Sequence, residues 1–550
     1  MPSPASLLRA PLLWLLVPFM SGLSAAKAWS LASEKLVPVA GVAVIASIAA
    51  GWLAGRSGRL NHLAWAACLG AAVSLGGFTL LHFREPGLHQ WETAAPSEIT
   101  VTLRVERVYP GASRSRSFSG IGTVVATGRG SPELAGRRLY FSALRKVSVT
   151  PLQSGSYRVR GVIESIPFRH ASDSFDDYLA NLGVRQKLSR ARIMEELSPP
   201  GGFRRFCSRV ETRLGSILSA GLEHHPEIQS LYRAMLLGEK AALSPEQQNA
   251  FMRSGTFHIF SISGLHVGVI ALALHGALCL LRVPRRIAAV ASLLLLAFYL
   301  EVTGMNSPAL RAFLMICFVF GRRVFRLPGN ALAALACAAL VTLLLDPMQL
   351  FGTGFQMSYS VVAALVVMGV PLTERILLHW HPFSWLPRPA WRRHHRWVNS
   401  IGRWVLGSCS ACWVAFIASV PSGIGYFHLF SPGSLPANLV IVPLASLAII
   451  SGFLSLLAGM VGITSLSALF NSSAALIILG MDWLAENGSV LPGVSHPANF
   501  TQPWMTPAAL AALVALMLAC LGGGWDRRYG GYWPPVALLA LILTLGVNFG

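Results

Sequence analysis

Apolar stretches of membrane length recur along this 550-residue chain, and they restrict it to folds that place helices in a bilayer. Three lie before residue 82, at about 11–23, 37–54 and 63–81. Ten follow, at about 258–281, 287–302, 309–321, 329–345, 354–372, 404–422, 435–460, 465–485, 507–521 and 533–549. The total of about thirteen defines the expected fold class, an α-helical polytopic membrane protein. Only 12% of residues are charged, against about a quarter in globular domains, which agrees with that class. The first stretch follows Arg9 and is trailed by Ala26-Lys27-Ala28, so it reads equally as a cleaved signal peptide or a first membrane helix.

Arginine placement orients the spans. Arg56 and Arg59, then Arg282, Arg285 and Arg286, then Arg322, Arg323 and Arg326, then Arg388, Arg392, Arg393, Arg396 and Arg403, then Arg527 and Arg528 all fall on one side. By the positive-inside rule that side is the cytoplasm. The intervening loops, 302–308, 346–353, 423–434 and 486–506, carry almost no Lys or Arg. The formal net charge of +21 is compatible with nucleic acid, anionic lipid or basic inner loops as its cause.

Five regions follow: N-terminal membrane helices over 1–86, a β-domain over 87–200, an amphipathic helical segment over 201–257, a channel-like membrane region over 258–485 and C-terminal helices over 486–550. In the second region Ile99, Val101, Leu103 and Val105 alternate with polar residues, as do Tyr157, Val159, Gly161 and Ile163, the pattern of half-buried strands. Gly120, Gly122, Gly128 and Gly130 punctuate the strands that lie between these two. The domain is basic, with Arg104, Arg107, Arg138, Arg158 and Arg160 on its candidate binding face; a merely solvated basic surface is the alternative. Phe203 to Leu222 alternates arginines with apolar residues at helical spacing, which suits a helix lying on the membrane surface.

The stretch from Gly238 to Gly268 begins polar, with a helix start at Ser244-Pro245-Glu246, and turns apolar after Gly255. It then carries His258, Ser261, Ser263, Gly264 and His266 inside a membrane-length run, where polar side chains need a reason. Close helix packing through small residues is one reason, and a polar lining is the other. Under the orientation above, these residues, Glu301 to Arg311, Asp346 and Gln356, and Tyr426 to Asn438 all converge on the outer mouth. Arg311 is the strongest phosphate candidate, with an ion pair to Glu301 or Asp346 as the alternative; Gln356 and Asn330 serve equally well as interhelical hydrogen-bond partners.

The same letters resemble the signature of the ComEC family, polytopic channels that carry single-stranded DNA across the bacterial inner membrane during transformation. The match runs through Leu237-Gly238, Leu243, Phe251, Arg253-Ser254-Gly255-Thr256, His258 and Ile262 to Gly268. It continues in order through Thr303-Gly304, Ser307 to Ala312, Gly321-Arg322, Asn330-Ala331, Asp346-Pro347, Gly354 to Tyr359, Phe430-Ser431-Pro432, Asn438 and Pro443. The position of the β-domain resembles the family's external OB-like domain, and Phe175-Asp176, Tyr178-Leu179 and Gly183 resemble the segment after it.

The resemblance implies a non-enzymatic inner-membrane channel for single-stranded DNA, with the DNA path near His258, Ser261, Ser263, His266, Arg311, Gln356 and Asn438. It implies membrane lipids, an external DNA receptor, a separate nuclease and a cytoplasmic ATPase as partners, and admits a homo-oligomer. A transporter or flippase for another anionic substrate, such as a lipid or cell-wall precursor, is the rival reading. No GxxxxGK[ST] loop is present, nor the HxHxDH motif of the metallo-β-lactamase-like domain that many relatives carry, so no cofactor is expected. His379, His381, His394 and His395 read as basic loop residues, and the CxxC of Cys409 and Cys412 lies within an apolar run.

Overall fold

The computed structural model describes residues 12–29, 36–54, 59–85, 95–109, 117–127, 134–144, 153–166, 175–239, 243–260, 262–305, 307–325, 330–526 and 530–549. In chain order the elements are α1 (Leu13–Ala28), α2 (Leu36–Ala54), α3 (Arg59–Arg84), β1 (Ser97–Tyr109), β2 (Ser117–Thr127), β3 (Arg138–Leu144), β4 (Ser156–Ser165), α4 (Phe175–Asn181) and β5 (Gln186–Ser198). They continue through α5 (Gly202–Ser219), α6 (Pro226–Leu237), α7 (Pro245–Arg253), α8 (Gly264–Leu280), α9 (Arg285–Val302), α10 (Ser307–Phe325), α11 (Ala331–Leu345), α12 (Thr353–Ala364) and α13 (Val370–His379). The last are α14 (Arg393–Phe427), β6 (Leu429–Phe430), α15 (Ser434–Val461), α16 (Thr464–Val490), β7 (His496–Phe500), α17 (Met505–Gly522), α18 (Trp533–Gly546) and β8 (Val547–Phe549).

The chain is mostly helical and spans a membrane several times. Among the described residues, seven helical segments are long and apolar enough to cross: Leu36–Leu53, His62–Arg84, Thr353–His379, Arg393–Phe427, Ser434–Val461, Thr464–Val490 and Met505–Gly522. Leu13–Ala28, Gly264–Leu280, Pro308–Gly321, Ala331–Leu345 and Trp533–Gly546 are shorter apolar helices. The first stretch, compatible in sequence with a signal peptide or a membrane helix, is helical over Leu13–Ala28.

One compact unit comprises Ala10–Arg209 with Ala336–Gly352. In it, α1 and α2 each pack on α3. Gly22 and Gly77 make the first contact close: a Cβ on Gly22 would fall 1.8 Å from the Ser74 carbonyl oxygen, and one on Gly77 2.7 Å from that of Phe19. The five strands close a barrel in the order β1-β2-β3-β5-β4, antiparallel except for β3 beside β5.

The alternating residues fill the barrel as their period demands. Val101, Leu103, Val105, Tyr157, Val159 and Ile163 are buried together with Phe141, Leu188 and Ile193. Gly120 and Gly122 both lie inside β2. A side chain at Gly120 would meet the Arg107 carbonyl oxygen at 2.3 Å and the Phe141 ring at 2.8 Å, so the barrel wall requires glycine there. Gly128 and Gly130 lie outside the described residues. The Phe175–Asn181 segment belongs to the barrel region, between β4 and β5, rather than following it.

The second unit comprises Val210–Leu335 with Thr353–Gly550. Its helices pack in a chain of neighbours that includes α8 on α9, α10 and α15, and α14 on α12, α13, α15 and α17. The expected surface helix, α5, is not left to lipid at its carboxyl end. Leu214, Ile217 and Leu218 are buried, Ile217 fits over Gly459 of α15, and Asn471 of α16 donates to the carbonyls of Ile217 (2.8 Å) and Ala220 (2.9 Å). Only Phe203 and Phe206 remain as large exposed apolar groups on that helix.

Between α12 and α13 the chain winds one π-helical turn, Leu365–Gly369. A π turn weakens the regular ladder and leaves carbonyls to be satisfied from outside. Trp525 supplies a donor, its indole Nε1 lying 3.1 Å from the Val367 oxygen, and its ring stacks on Tyr532 with centroids 4.7 Å apart.

Candidate functional site

The signature segment is built around helix ends. Ser244 and Gln247 close a capping box at the start of α7, with Gln247 N donating to Ser244 Oγ (3.1 Å) and Ser244 N donating to Gln247 Oε1 (3.3 Å). After α7 the chain reverses through Ser254-Gly255-Thr256, where the Ser254 and Thr256 hydroxyls are 2.7 Å apart and buried. Gly255 has φ +69°, and a Cβ there would fall 2.5 Å from Cβ of Ser434. Ser431 Oγ is within donating distance of the carbonyls of Arg253 (2.6 Å) and Val494 (3.2 Å), which ties the reversal to the start of α15.

The next span does not begin at residue 258, as hydropathy suggests. Phe257–Phe260 is a 3-10 turn, and α8 starts at Gly264. The polar residues thus precede or open the helix instead of lying along its length. His258, exposed, hydrogen-bonds the Gly255 backbone. Ser261 lies outside the described residues. Ser263 is the N-cap of α8, and its backbone N–H points at His266 Nδ1, 3.3 Å away. A backbone amide can only donate, so Nδ1 accepts and the proton sits on Nε2. That nitrogen is buried and has no hydrogen-bond partner, in a residue only 1% exposed.

Three further motif groups adjoin this one. The start of α8 touches the start of α10, where Gly264 faces Ala312. On α10, Arg311 is 1% exposed and lies against α12: a Cβ at Gly354 would stand 3.3 Å from Arg311 Nη2. Tyr359 on α12 is close enough to act on the guanidinium electrostatically. Gln356 accepts a 2.5 Å hydrogen bond from the Tyr426 hydroxyl of α14, so its interhelical role is realised. Asn438, on the first turns of α15, has its Oδ1 buried without a partner.

Two motif residues are occupied by helix starts. Asn330 Oδ1 accepts from Ala333 N (2.7 Å), and Asp346 accepts from Met348 N (3.2 Å) and Gln349 Nε2 (3.0 Å). Asn306 lies outside the described residues.

Segments 253–268, 303–312, 353–360 and 426–438 bring a buried guanidinium, imidazoles, amides and hydroxyls together and contain no Asp or Glu, with Glu301 two residues before the second of them. Such a set offers an anion a cation and several donors. Among the described residues no group of three or more His, Cys, Asp or Glu side chains is placed to hold a metal; His394 and His395, expected in a loop, lie in the first turn of α14 and approach each other, Nε2 to Nε2, at 3.1 Å.

On the barrel, the predicted basic face divides. Arg160 forks onto Glu98 through Nε (2.8 Å) and Nη2 (2.9 Å), Arg158 reaches Glu195 at 2.8 Å, and Arg138 reaches Glu106 at 3.3 Å and Glu85 at 3.8 Å. Arg104 is exposed and Arg107 half-buried. The fork holds the Glu98 carboxyl below its ordinary value, chiefly by hydrogen bonding, and raises Arg160. An aromatic patch on the same domain joins residues that the sequence pattern does not group: Phe175 packs edge-on to Tyr140 (5.1 Å) and stacks with Tyr178 (6.1 Å), whose hydroxyl is 3.4 Å from that of Tyr109. Its four members come from β1, β3 and α4, so no local signal announces it.

A family model described as competence protein matches residues 235–523, the stretch that contains the whole cluster. Among curated proteins, the chain is 26% identical to ComE operon protein 3 of Bacillus subtilis (strain 168) over 314 residues, 56% of this chain and 37% of that protein. It is 37% identical to competence protein ComA of Neisseria gonorrhoeae over 145 residues, 25% of this chain and 21% of the relative. It is 25% identical to recombination protein 2 of Haemophilus influenzae (strain ATCC 51907 / DSM 11121 / KW20 / Rd) over 235 residues, 40% of this chain and 27% of the relative. The matches thus span 21% to 37% of these relatives' own lengths. No solved structure matches the chain.

Proposed function

The chain belongs to the competence protein family, of ComEC type, and from that premise we propose that it forms an inner-membrane channel taking up single-stranded DNA during transformation. In this reading the twelve apolar helices described above and α9 cross the membrane, thirteen spans in all, with the arginine-rich linkers inside and the barrel outside. The observation that carries the reading is the cluster around Arg311, His266, Gln356 and Asn438, whose four segments contain no Asp or Glu, the nearest acid in sequence being Glu301 near the end of α9. A strand shedding water and counterions on entering a pore needs donors that replace them, and an acid there would oppose each passing phosphate.

The barrel supports the same reading as a receiving domain. A five-stranded barrel of OB type binds single strands through cations and aromatic platforms, and Arg104, Arg107 and the patch of Tyr140, Phe175 and Tyr178 provide both. The channel makes and breaks no covalent bond. A receptor, a nuclease and an ATPase acting with it are separate chains in this scheme.

The test is the entry of labelled DNA into a nuclease-protected cytoplasmic pool, in a strain lacking the protein and complemented with the natural chain, Arg311→Lys or Arg311→Ala. The natural chain restores uptake; Arg311→Ala reduces it by about tenfold or more at equal membrane abundance, with Arg311→Lys in between. If the deletion strain imports DNA at the parental rate, the reading is wrong and another anionic substrate takes its place.

A further inference from the structure

The far ends of α8 and α10, about 25 Å along the helix from Gly264, meet the start of α9 around a second basic feature. A cavity of about 440 Å³ there is lined by His275, Arg285, Arg286, Ala289, Phe320 and Val324. No carboxylate lines it among the described residues, and segments 275–300 and 309–345 contain no Asp or Glu. Arg285 and Arg286 form the first turn of α9, whose N-cap, Pro284, offers no side-chain acceptor, so the helix end adds its own positive potential. His275 Nε2 lies 3.7 Å from Cys279 Sγ, while its Nδ1 is buried with no partner.

The residues next to the lining in sequence have the opposite character. Leu280 and Leu281 at the end of α8, Ile287 after Arg286 and Val319 before Phe320 are exposed, at 85%, 73%, 59% and 41%. Arginines flanked by bare aliphatic side chains at the end of apolar helices match an amphiphile, with its anionic head on the arginines and its chains along the helices. A dissolved phosphate would gain nothing from those side chains.

We infer that this cavity binds the phosphodiester headgroup of an anionic glycerophospholipid. The two guanidinium groups and the α9 amides take the phosphate oxygens, and the His275 ring closes the site from α8. Phe320 and Val324 wall the glycerol side. The site lies at the end of the helices that the positive-inside rule assigns to the cytoplasm, so its ligand comes from the inner leaflet.

The full chain, purified in maltoside detergent, tests this by native mass spectrometry and thermal melting with phosphatidylglycerol, phosphatidylcholine, inorganic phosphate or a single-stranded 20-mer. Phosphatidylglycerol should be retained about fivefold or more over phosphatidylcholine and should raise the melting midpoint. Arg285→Gln with Arg286→Gln should lower that retention about tenfold. The pair Arg392→Gln and Arg393→Gln, with the same charge loss at the exposed start of α14, should leave it unchanged. Val324→Trp, which fills the cavity and keeps both arginines, should abolish retention and decides the matter if the double variant does not fold. Equal retention of the two lipids, or equal loss in both arginine pairs, overturns the inference. Stabilisation by inorganic phosphate matching that of phosphatidylglycerol, or displacement of the lipid by the 20-mer, overturns it in favour of a free-anion site or a strand exit.

Discussion

Gly255 has two independent reasons to lack a side chain, a left-handed backbone and a 2.5 Å approach to Ser434. Gly255→Ala should therefore cost about 2–4 kcal/mol, the sum of left-handed strain and overpacking, read as a lower thermal midpoint in detergent. Glu98 and Arg160 give a prediction of different sign logic. The depressed Glu98 carboxyl stabilises the fold above its ordinary value of 4.5, and that contribution disappears as pH falls through the lower, folded value. Glu98→Gln should flatten the acid limb of the stability profile and leave the alkaline limb unchanged, as circular dichroism at successive pH values would record. At this scale the sequence singles out residues without their partners. His266, Arg311 and Gln356 stand out because polar groups in apolar runs are costly, whereas Tyr426, the partner of Gln356, is 70 positions away and has no local signature.

Elements are more legible than contacts. Strand alternation identifies the barrel core because its period is local, and the Ser244-Pro245-Glu246 start of α7 is a capping pattern that needs no tertiary context. Hydropathy places the start of α8 six residues early because it counts Phe257, Ile259 and Phe260 as helix, whereas the turn there is set by Gly255 and the Ser263 cap. Amphipathicity assigns the carboxyl end of α5 to the membrane surface because it does not say what covers the apolar face. Asn471 covers part of it and also accepts from the Tyr232 hydroxyl at 3.2 Å, joining α5, α6 and α16. Asn471→Leu strands that hydroxyl and the Ala220 carbonyl and leaves the Ile217 oxygen only the Ala220 N–H at 3.2 Å, and should destabilise the protein by about 2–3 kcal/mol, measured as a lower thermal midpoint while Ser472→Ala, one residue away and exposed, changes little.

For the whole molecule, the arginine asymmetry makes one global commitment. In a variant with its eight cysteines replaced, a single cysteine at Arg392 should resist an impermeant thiol reagent in intact cells, and one at Ser495 should react; the reverse pattern would invert the orientation and put the barrel inside. The π turn at Leu365–Gly369 has a consequence for how the bundle is meshed. One surplus residue advances a helix by about 100°, so α12 and α13 are a single rod cut into two angular phases. The first phase turns Tyr359 and Gly354 toward Arg311; the second turns Thr373 toward Ser410, 2.9 Å away. Removing one residue between 365 and 369 would leave both halves helical and every composition intact, and would take one of those two engagements out of mesh.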